Sequence, residues 1–243
     1  MFSYNDVKVN YEYINNKSSK TLVFLHGWGQ NIQMMIPIAK PFLKDYNVLI
    51  IDLPGFGKSS EPTYAWDLNE FVEMVHELIK SLKIKKPVLI GHSFGGKISI
   101  IYSSKYEVDR LVLLSSPYTI GIKKQPLKVK ILKRLAKVPG LKSMANYFKK
   151  KMGSTDYKNA SPIMRSILVK HVNTDTTEEC KKIKVPTIII WGTNDTTVGI
   201  ENAYEIEKLI KDSAVIPYEG LTHFAYLEDF YRFVTIAKSF LKG

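Results

Sequence analysis

Pro87 to Ser99 reads PVLIGHSFGGKIS. A short apolar run stops at a glycine, a serine follows between small residues, and a helical pattern begins at once. Val88 to Ile90 has the β-branched and leucine-rich content of a strand buried on both faces. With a helix starting near Gly96, the chain must reverse at Ser93 within about one residue. So sharp a reversal strains the backbone and tolerates only small neighbours, which Gly91 and Gly95 supply. Ser93 is then held out at the end of the sheet as a candidate nucleophile. The N-terminus of the next helix adds favourable potential for a developing oxyanion.

Working outward, Leu22 to Leu25, Val48 to Ile51 and Leu111 to Leu114 are similar runs that end in Gly, Ser or Pro clusters. Thr187 to Ile190, after Pro186, is a fifth strand and Ala214 to Pro217 a sixth. Between them lie helical patterns. From Leu68 to Leu82, apolar residues recur at three- and four-residue intervals and leave Glu73, Glu77 and Lys80 outward, with Asp67 and Glu70 as a capping signal. Phe230, Phe233, Val234, Ala237, Phe240 and Leu241 mark a C-terminal helix. Strand and helix in alternation specify the α/β class, a mostly parallel sheet covered by helices on both faces. The alternation lapses after Pro117 and resumes near Val185. Residues 1–118 and 185–243 are therefore expected to form the core, and 119–184 a helical cap (lid) inserted at the carboxyl end of a strand, where open α/β sheets bind ligands. Pro139-Gly140 and Gly153 are its expected breaks.

A serine hydroxyl needs a histidine base, and the histidine needs an acid to fix its tautomer. In this architecture the order along the chain is Ser, acid, His, which leaves His171 and His223 downstream of Ser93. His171, in LVKHVNTD, reads as part of a solvated helix face. His223 lies in GLTHFAYLED, a polar loop before the last helix, and is the expected base. Asp195 leaves a strand end in IIIWGTNDTTV and is the expected acid; Asp109, Asp156, Asp175 and Asp212 lack a preceding buried strand. His26-Gly27-Trp28-Gly29 ends the first buried strand, so the backbone amides of Trp28 and Phe94 are the expected oxyanion donors, with His26 shaping the turn.

LHGWGQ, DLPGFGKS, GHSFGG, WGTND and GLTH, in this order and spacing, resemble the α/β-hydrolase family over nearly the whole chain. The first elements look most like those of pimeloyl-acyl carrier protein methyl ester esterases and of carbon–carbon bond hydrolases acting on ring-cleavage products. Ser93, where some branches carry an aspartate, argues against haloalkane dehalogenases and epoxide hydrolases. GHSFGG also departs from the GGSWGG usual in proline iminopeptidases, and Val198 stands where a proline often follows the acid. The resemblance implies acyl transfer to water through an acyl-enzyme. The expected substrate is a small ester whose apolar part is lined by Trp28, Phe94, Phe148, Met164, Val198 and Phe224. A thioesterase or carbon–carbon bond hydrolase with the same triad is the alternative, and a catalytically silent binding protein is the alternative from another class. No metal or organic cofactor is expected.

Composition sets the frame. The chain has 243 residues, 45% hydrophobic and 24% charged, which suits one globular domain. MFSYNDVKVNYEYINNK lacks the basic start and apolar run of a secretion signal, and no apolar stretch approaches the roughly 20 residues of a membrane span. The single cysteine, Cys180, has neither metal-site spacing nor a nucleophile's context, so a cytoplasmic setting is expected. GFGKS resembles the end of a phosphate-binding loop, but Asp52 stands where its first glycine belongs. The net charge of +12 is local, because Lys123 to Lys151 holds 11 of the 35 basic residues and no acid. Leu127, Ile131, Leu132, Leu135 and Val138 give that stretch the pattern of a basic amphipathic lid helix. The stretch reads either as an ordinary lid helix, its apolar face over the site and its lysines solvated, or as a surface for an acidic acyl carrier protein, an anionic membrane surface or an acidic small molecule; nucleic acid is not expected, since no stacking aromatics accompany the charge.

Overall fold

The computed structural model of the chain describes residues 1–119 and 160–242. It opens with a hairpin of β1 (Phe2–Tyr4) and β2 (Val7–Val9), turning through Asn5 and Asp6 at φ 45° and 61°. Two successive left-handed residues match the right-handed twist of the flanking strands. The main sheet then comprises β3 (Tyr11–Ile14), β4 (Thr21–Leu25), β5 (Asn47–Ile51), β6 (Val88–His92), β7 (Arg110–Leu114), β8 (Thr187–Gly192) and β9 (Ser213–Tyr218). Their order is β3-β5-β4-β6-β7-β8-β9, parallel throughout except for β3 on β5. The six strands read from the sequence are present, each longer by a residue or two. The edge strand β3 and the hairpin are additional to them, because YEYI alternates and is half-exposed rather than continuously apolar.

The helices are α1 (Ile32–Ala39), α2 (Leu68–Ser81), α3 (Phe94–Lys105), α4 (Pro162–Asn173), α5 (Thr177–Lys182), α6 (Glu201–Leu209), α7 (Ala225–Glu228) and α8 (Phe230–Lys242). Successive strand residues point to opposite sides, so a continuous apolar run needs cover on both. Val23, Leu25, Leu49, Ile51, Leu89 and Leu111 pack with buried residues of α2 and α3. Leu22, Phe24, Val48, Ile50, Val88 and Val112 pack on the other face with α1 and α8. Each such side chain contributes roughly 1.5–3 kcal/mol by leaving water. At the start of α2 the expected capping box is complete, Asp67 accepting from Asn69 and Glu70 amides while Glu70 accepts from the Asp67 amide.

The chain runs from β4 to β5 on one side and then crosses to β6 on the other. Loops leaving β4 and β6 therefore diverge, opening a crevice at the carboxyl ends of the strands where ligands bind in open α/β sheets. Over it lies α4. Ser161 caps that helix by accepting from the Met164 amide and donates to Glu61 at 2.5 Å; Lys170 donates to the carbonyl of Ala65. Met164 packs on Gly55, where an added Cβ would lie 2.4 Å from its sulfur. α5 packs on α3 and α6 with Cys180 buried. The basic amphipathic helix, Phe148, Pro139-Gly140 and Gly153 lie outside the described residues. Among the described residues no helix is long and apolar enough to cross a membrane.

Candidate active site

Ser93 has φ 49° and ψ −107°, far from the favoured regions of a residue with a Cβ, and such conformations cost roughly 1–3 kcal/mol. Three backbone bonds hold it: Ser93 N to Leu114 O at 2.9 Å, Gly95 N to His26 O at 3.1 Å and Lys97 N to Ser93 O at 3.0 Å. The close approach that permits them excludes side chains. A Cβ on Gly95 would meet the Leu25 carbonyl at 2.3 Å, and one on Gly96 the Ser116 hydroxyl at 1.7 Å. The sequence thus forces a half-buried serine out at the mouth of the crevice, ahead of the α3 N-terminus.

Phe94 opens α3, so its amide has no acceptor within the helix. The Trp28 amide likewise has no acceptor among the described residues. The loop carrying Trp28 is fixed by its neighbours. His26 Nδ1 donates to the Gly27 carbonyl at 2.8 Å, and its Nε2 accepts from the Leu53 amide at 2.9 Å. Burial pushes His26 down to about 4, so the neutral ring serves as a tie between two strand ends. Gly27 donates to Gln30 Oε1 at 2.9 Å. Asp52 stands in the same frame: its carboxylate accepts from Ile32 and Lys58 amides at 2.7 and 2.9 Å and from Asn10 Nδ2 at 2.8 Å. DLPGFGKS is therefore a turn organised around a buried carboxylate.

Asp195 follows β8, and its side chain is fully buried. Oδ1 accepts from the Thr197 and Val198 amides at 2.8 and 2.9 Å, and Oδ2 faces His223 Nδ1 at 2.6 Å. That arrangement directs the Nδ1 proton of His223 to the carboxylate and leaves Nε2 as an acceptor. His223 is fastened to the elbow through His92, the residue before Ser93: His92 Nε2 lies 3.1 Å from the His223 carbonyl, and the two rings are 4.8 Å apart. Burial holds His92 well below the usual histidine range, so it has one N–H to share between that carbonyl and Gln30 Oε1 at 3.2 Å. No hydrogen bond joins Ser93 Oγ to His223 among the described residues. Such bonds are often long before substrate arrives.

The crevice wall is aromatic. Trp28 meets Phe56 and Phe94 edge-on, with centroids 4.9 and 5.3 Å apart. Phe224 is exposed beside His223, Val198 is half-buried beside Asp195, and Met164 is on the buried face of α4. His171 departs from the sequence reading: it is 6% exposed, not on a solvated face, and lies against Trp28 and Phe94. Its stripe partners on α4, Met164 and Ile167, stand at helical spacing from it, and that phase is the signal the sequence carries for its burial. Phe56 is a further wall residue that the sequence reading lacks. Lys97, one turn beyond Ser93 and 1% exposed, donates from Nζ to the carbonyls of Thr174 and His171 at 2.8 and 3.2 Å. Burial pushes that ammonium down to about 8. Burial, helped by the Lys97 charge, pushes His171 down to about 3. Among the described residues no three His, Cys, Asp or Glu side chains are grouped to hold a metal.

A family model described as the alpha/beta hydrolase fold matches residues 20–137. The match takes in the Trp28 loop and the Ser93 elbow and ends before Asp195 and His223. The chain is 28% identical to AB hydrolase superfamily protein YisY of Bacillus subtilis over 240 residues, 86% of this chain and 87% of that protein. It is 29% identical to Lipase 1 of Psychrobacter immobilis, over 91% of this chain and 76% of the lipase. An esterase from Exiguobacterium antarcticum superposes with a TM-score of 0.76 at 24% identity, covering 98% of this chain and 96% of the esterase.

Proposed function

We propose that this chain, an α/β hydrolase by fold, cleaves carboxylic esters through an acyl-enzyme on Ser93. The observation that carries the reading is the 2.6 Å bond between the buried Asp195 and His223, tied through His92 to the strained Ser93 turn. In this mechanism Ser93 Oγ attacks the carbonyl carbon and His223 Nε2 takes its proton. The Trp28 and Phe94 amides hold the oxyanion, and the proton returns to the leaving alkoxide. Water, deprotonated by His223, then attacks the acyl-serine and releases the acid. Asp195 stabilises the imidazolium formed in each half. The lipase and esterase among the similar proteins favour an ester, and the walls of Trp28, Phe56, Phe94, Met164, Val198 and Phe224 favour one with an apolar portion.

Thioesters and carbon–carbon bonds beside a ketone are open to the same groups. A panel of p-nitrophenyl esters of rising chain length, beside thioesters, ring-cleavage diketones and aminoacyl amides, ranks them by kcat/KM. Esters are expected to lead, with turnover lost in Ser93→Ala and His223→Ala; turnover surviving in folded Ser93→Ala would remove the proposal. The segment Lys123 to Lys151 supports an acidic acyl carrier or anionic surface as partner, in which case kcat/KM on an acyl carrier substrate falls with salt. A cytoplasmic setting accords with the single, buried Cys180.

A further inference from the structure

His171 packs against the side chains of Trp28 and Phe94, the two residues whose backbone amides are proposed to hold the oxyanion. Its ring is parallel to Trp28, within 1°, at 6.4 Å and edge-on to Phe94 at 4.7 Å. The helix that carries it cannot easily swing away, because the Lys97 ammonium grips the His171 and Thr174 carbonyls from beneath. Yet His171 Nδ1 is buried and has no hydrogen-bond partner among the described residues. Leaving a buried polar nitrogen unmatched is destabilising, and phenylalanine would fill this aromatic niche without that cost. An unmatched polar atom facing apolar neighbours at a reaction site is well suited to meet a polar atom on the substrate.

We propose that His171 is a specificity-determining residue that hydrogen-bonds an oxygen-bearing group on the acyl portion of the substrate, a hydroxyl, ketone or second carbonyl near the scissile ester. The proposal builds on hydrolysis at Ser93. The ring stays neutral at ordinary pH and so offers one donor and one acceptor, which suits an uncharged oxygen function and gives a carboxylate or phosphate no countercharge. A site that hydrogen-bonds its substrate also discriminates against the analogue lacking that group, because the site's own polar atom is then stranded. The preferred substrates are thus short acyl esters carrying an oxygen substituent, in preference to plain alkanoates.

The test pairs p-nitrophenyl butanoate with the 3-hydroxybutanoate ester, and the pentanoate with the 4-oxopentanoate ester, each rate divided by its hydroxide-catalysed rate. The wild type is expected to favour at least one oxygenated member about tenfold or more in kcat/KM. His171→Phe should lower that ratio about tenfold, and His171→Asn, which keeps donor and acceptor, should retain most of the ratio. A wild-type ratio near one for both pairs, or a ratio unchanged in folded His171→Phe, overturns the proposal. Equal losses on plain and oxygenated esters in both variants also overturn it, since a structural role acts in that way. Wild-type protein that hydrolyses none of the esters and takes no fluorophosphonate label removes the Ser93 reading itself, an outcome distinct from active enzyme without the preference.

Discussion

Asp195→Asn separates orientation of the base from stability of the fold. The carbonyl of the substituted side chain can keep the two backbone bonds from Thr197 and Val198 that now end on Asp195 Oδ1. Its amide nitrogen then faces His223 Nδ1, where the carboxylate Oδ2 now accepts at 2.6 Å. A donor there forces His223 Nδ1 to accept, which moves the ring proton to Nε2, the nitrogen proposed to receive the proton of Ser93. The expected loss in kcat/KM is on the order of 10⁴-fold, or about 5.5 kcal/mol of transition-state stabilisation. Stability should suffer less, since only the charge-assisted bond to His223 is lost, roughly 1.5–3 kcal/mol or about 3–12 °C in Tm for a chain of this size. Ester hydrolysis and thermal melts of the same preparations check both halves. A folded Asp195→Asn within about tenfold of wild-type kcat/KM would refute the assignment of Asp195 as the orienting acid.

Acid should destabilise the protein early. His26 and His171 are pushed down to about 4 and about 3 and His92 lies well below its ordinary 6.5, so under pH 6.5 the unfolded chain binds protons that the fold refuses. His26 and His171 each contribute a loss that approaches about 1.4 kcal/mol per pH unit as pH falls from about 6.5 toward about 5, and His92 acts in the same direction, measured as a drop in urea midpoint; a flat midpoint over that range contradicts the burial argument. Gly96→Ala should lower stability by about 1–3 kcal/mol, because its Cβ meets Ser116 Oγ at 1.7 Å, and a second change, Ser116→Gly, should recover part of the Tm. Cys180, buried and pushed up to about 12, should resist a thiol reagent at about pH 8 in native protein and react at once in denaturant.

The parallel strands are legible in the sequence because burial on both faces leaves runs such as LVFL and VLII with no polar interruption. The placement of Ser93 and Asp195 is legible for a different reason: each stands where a buried strand gives way to a turn, whereas His223 is marked by the polar loop between the last strand and the last helix. β3 is not, since an antiparallel edge strand alternates, and YEYI is too short to show it. Reading His171 as solvated weighs its polarity above its helical phase with Met164 and Ile167, and the phase decides. Phe56 cannot be found from sequence at all, because its contact with Trp28 is made by the approach of the loops that leave the neighbouring strands β4 and β5. Asp52 is visible there only as a residue that spoils a phosphate-binding loop; its carboxylate's hold on Ile32, Lys58 and Asn10 requires the folded turn.

The most direct measurement of the Ser93 assignment is reaction of the intact protein with a fluorophosphonate, followed by mass mapping of the adduct. One phosphonyl group per chain on the peptide containing Ser93 is predicted, formed faster in wild type than in His223→Ala and absent from Ser93→Ala. An adduct on any other residue, or equal labelling of Ser93→Ala, contradicts the account.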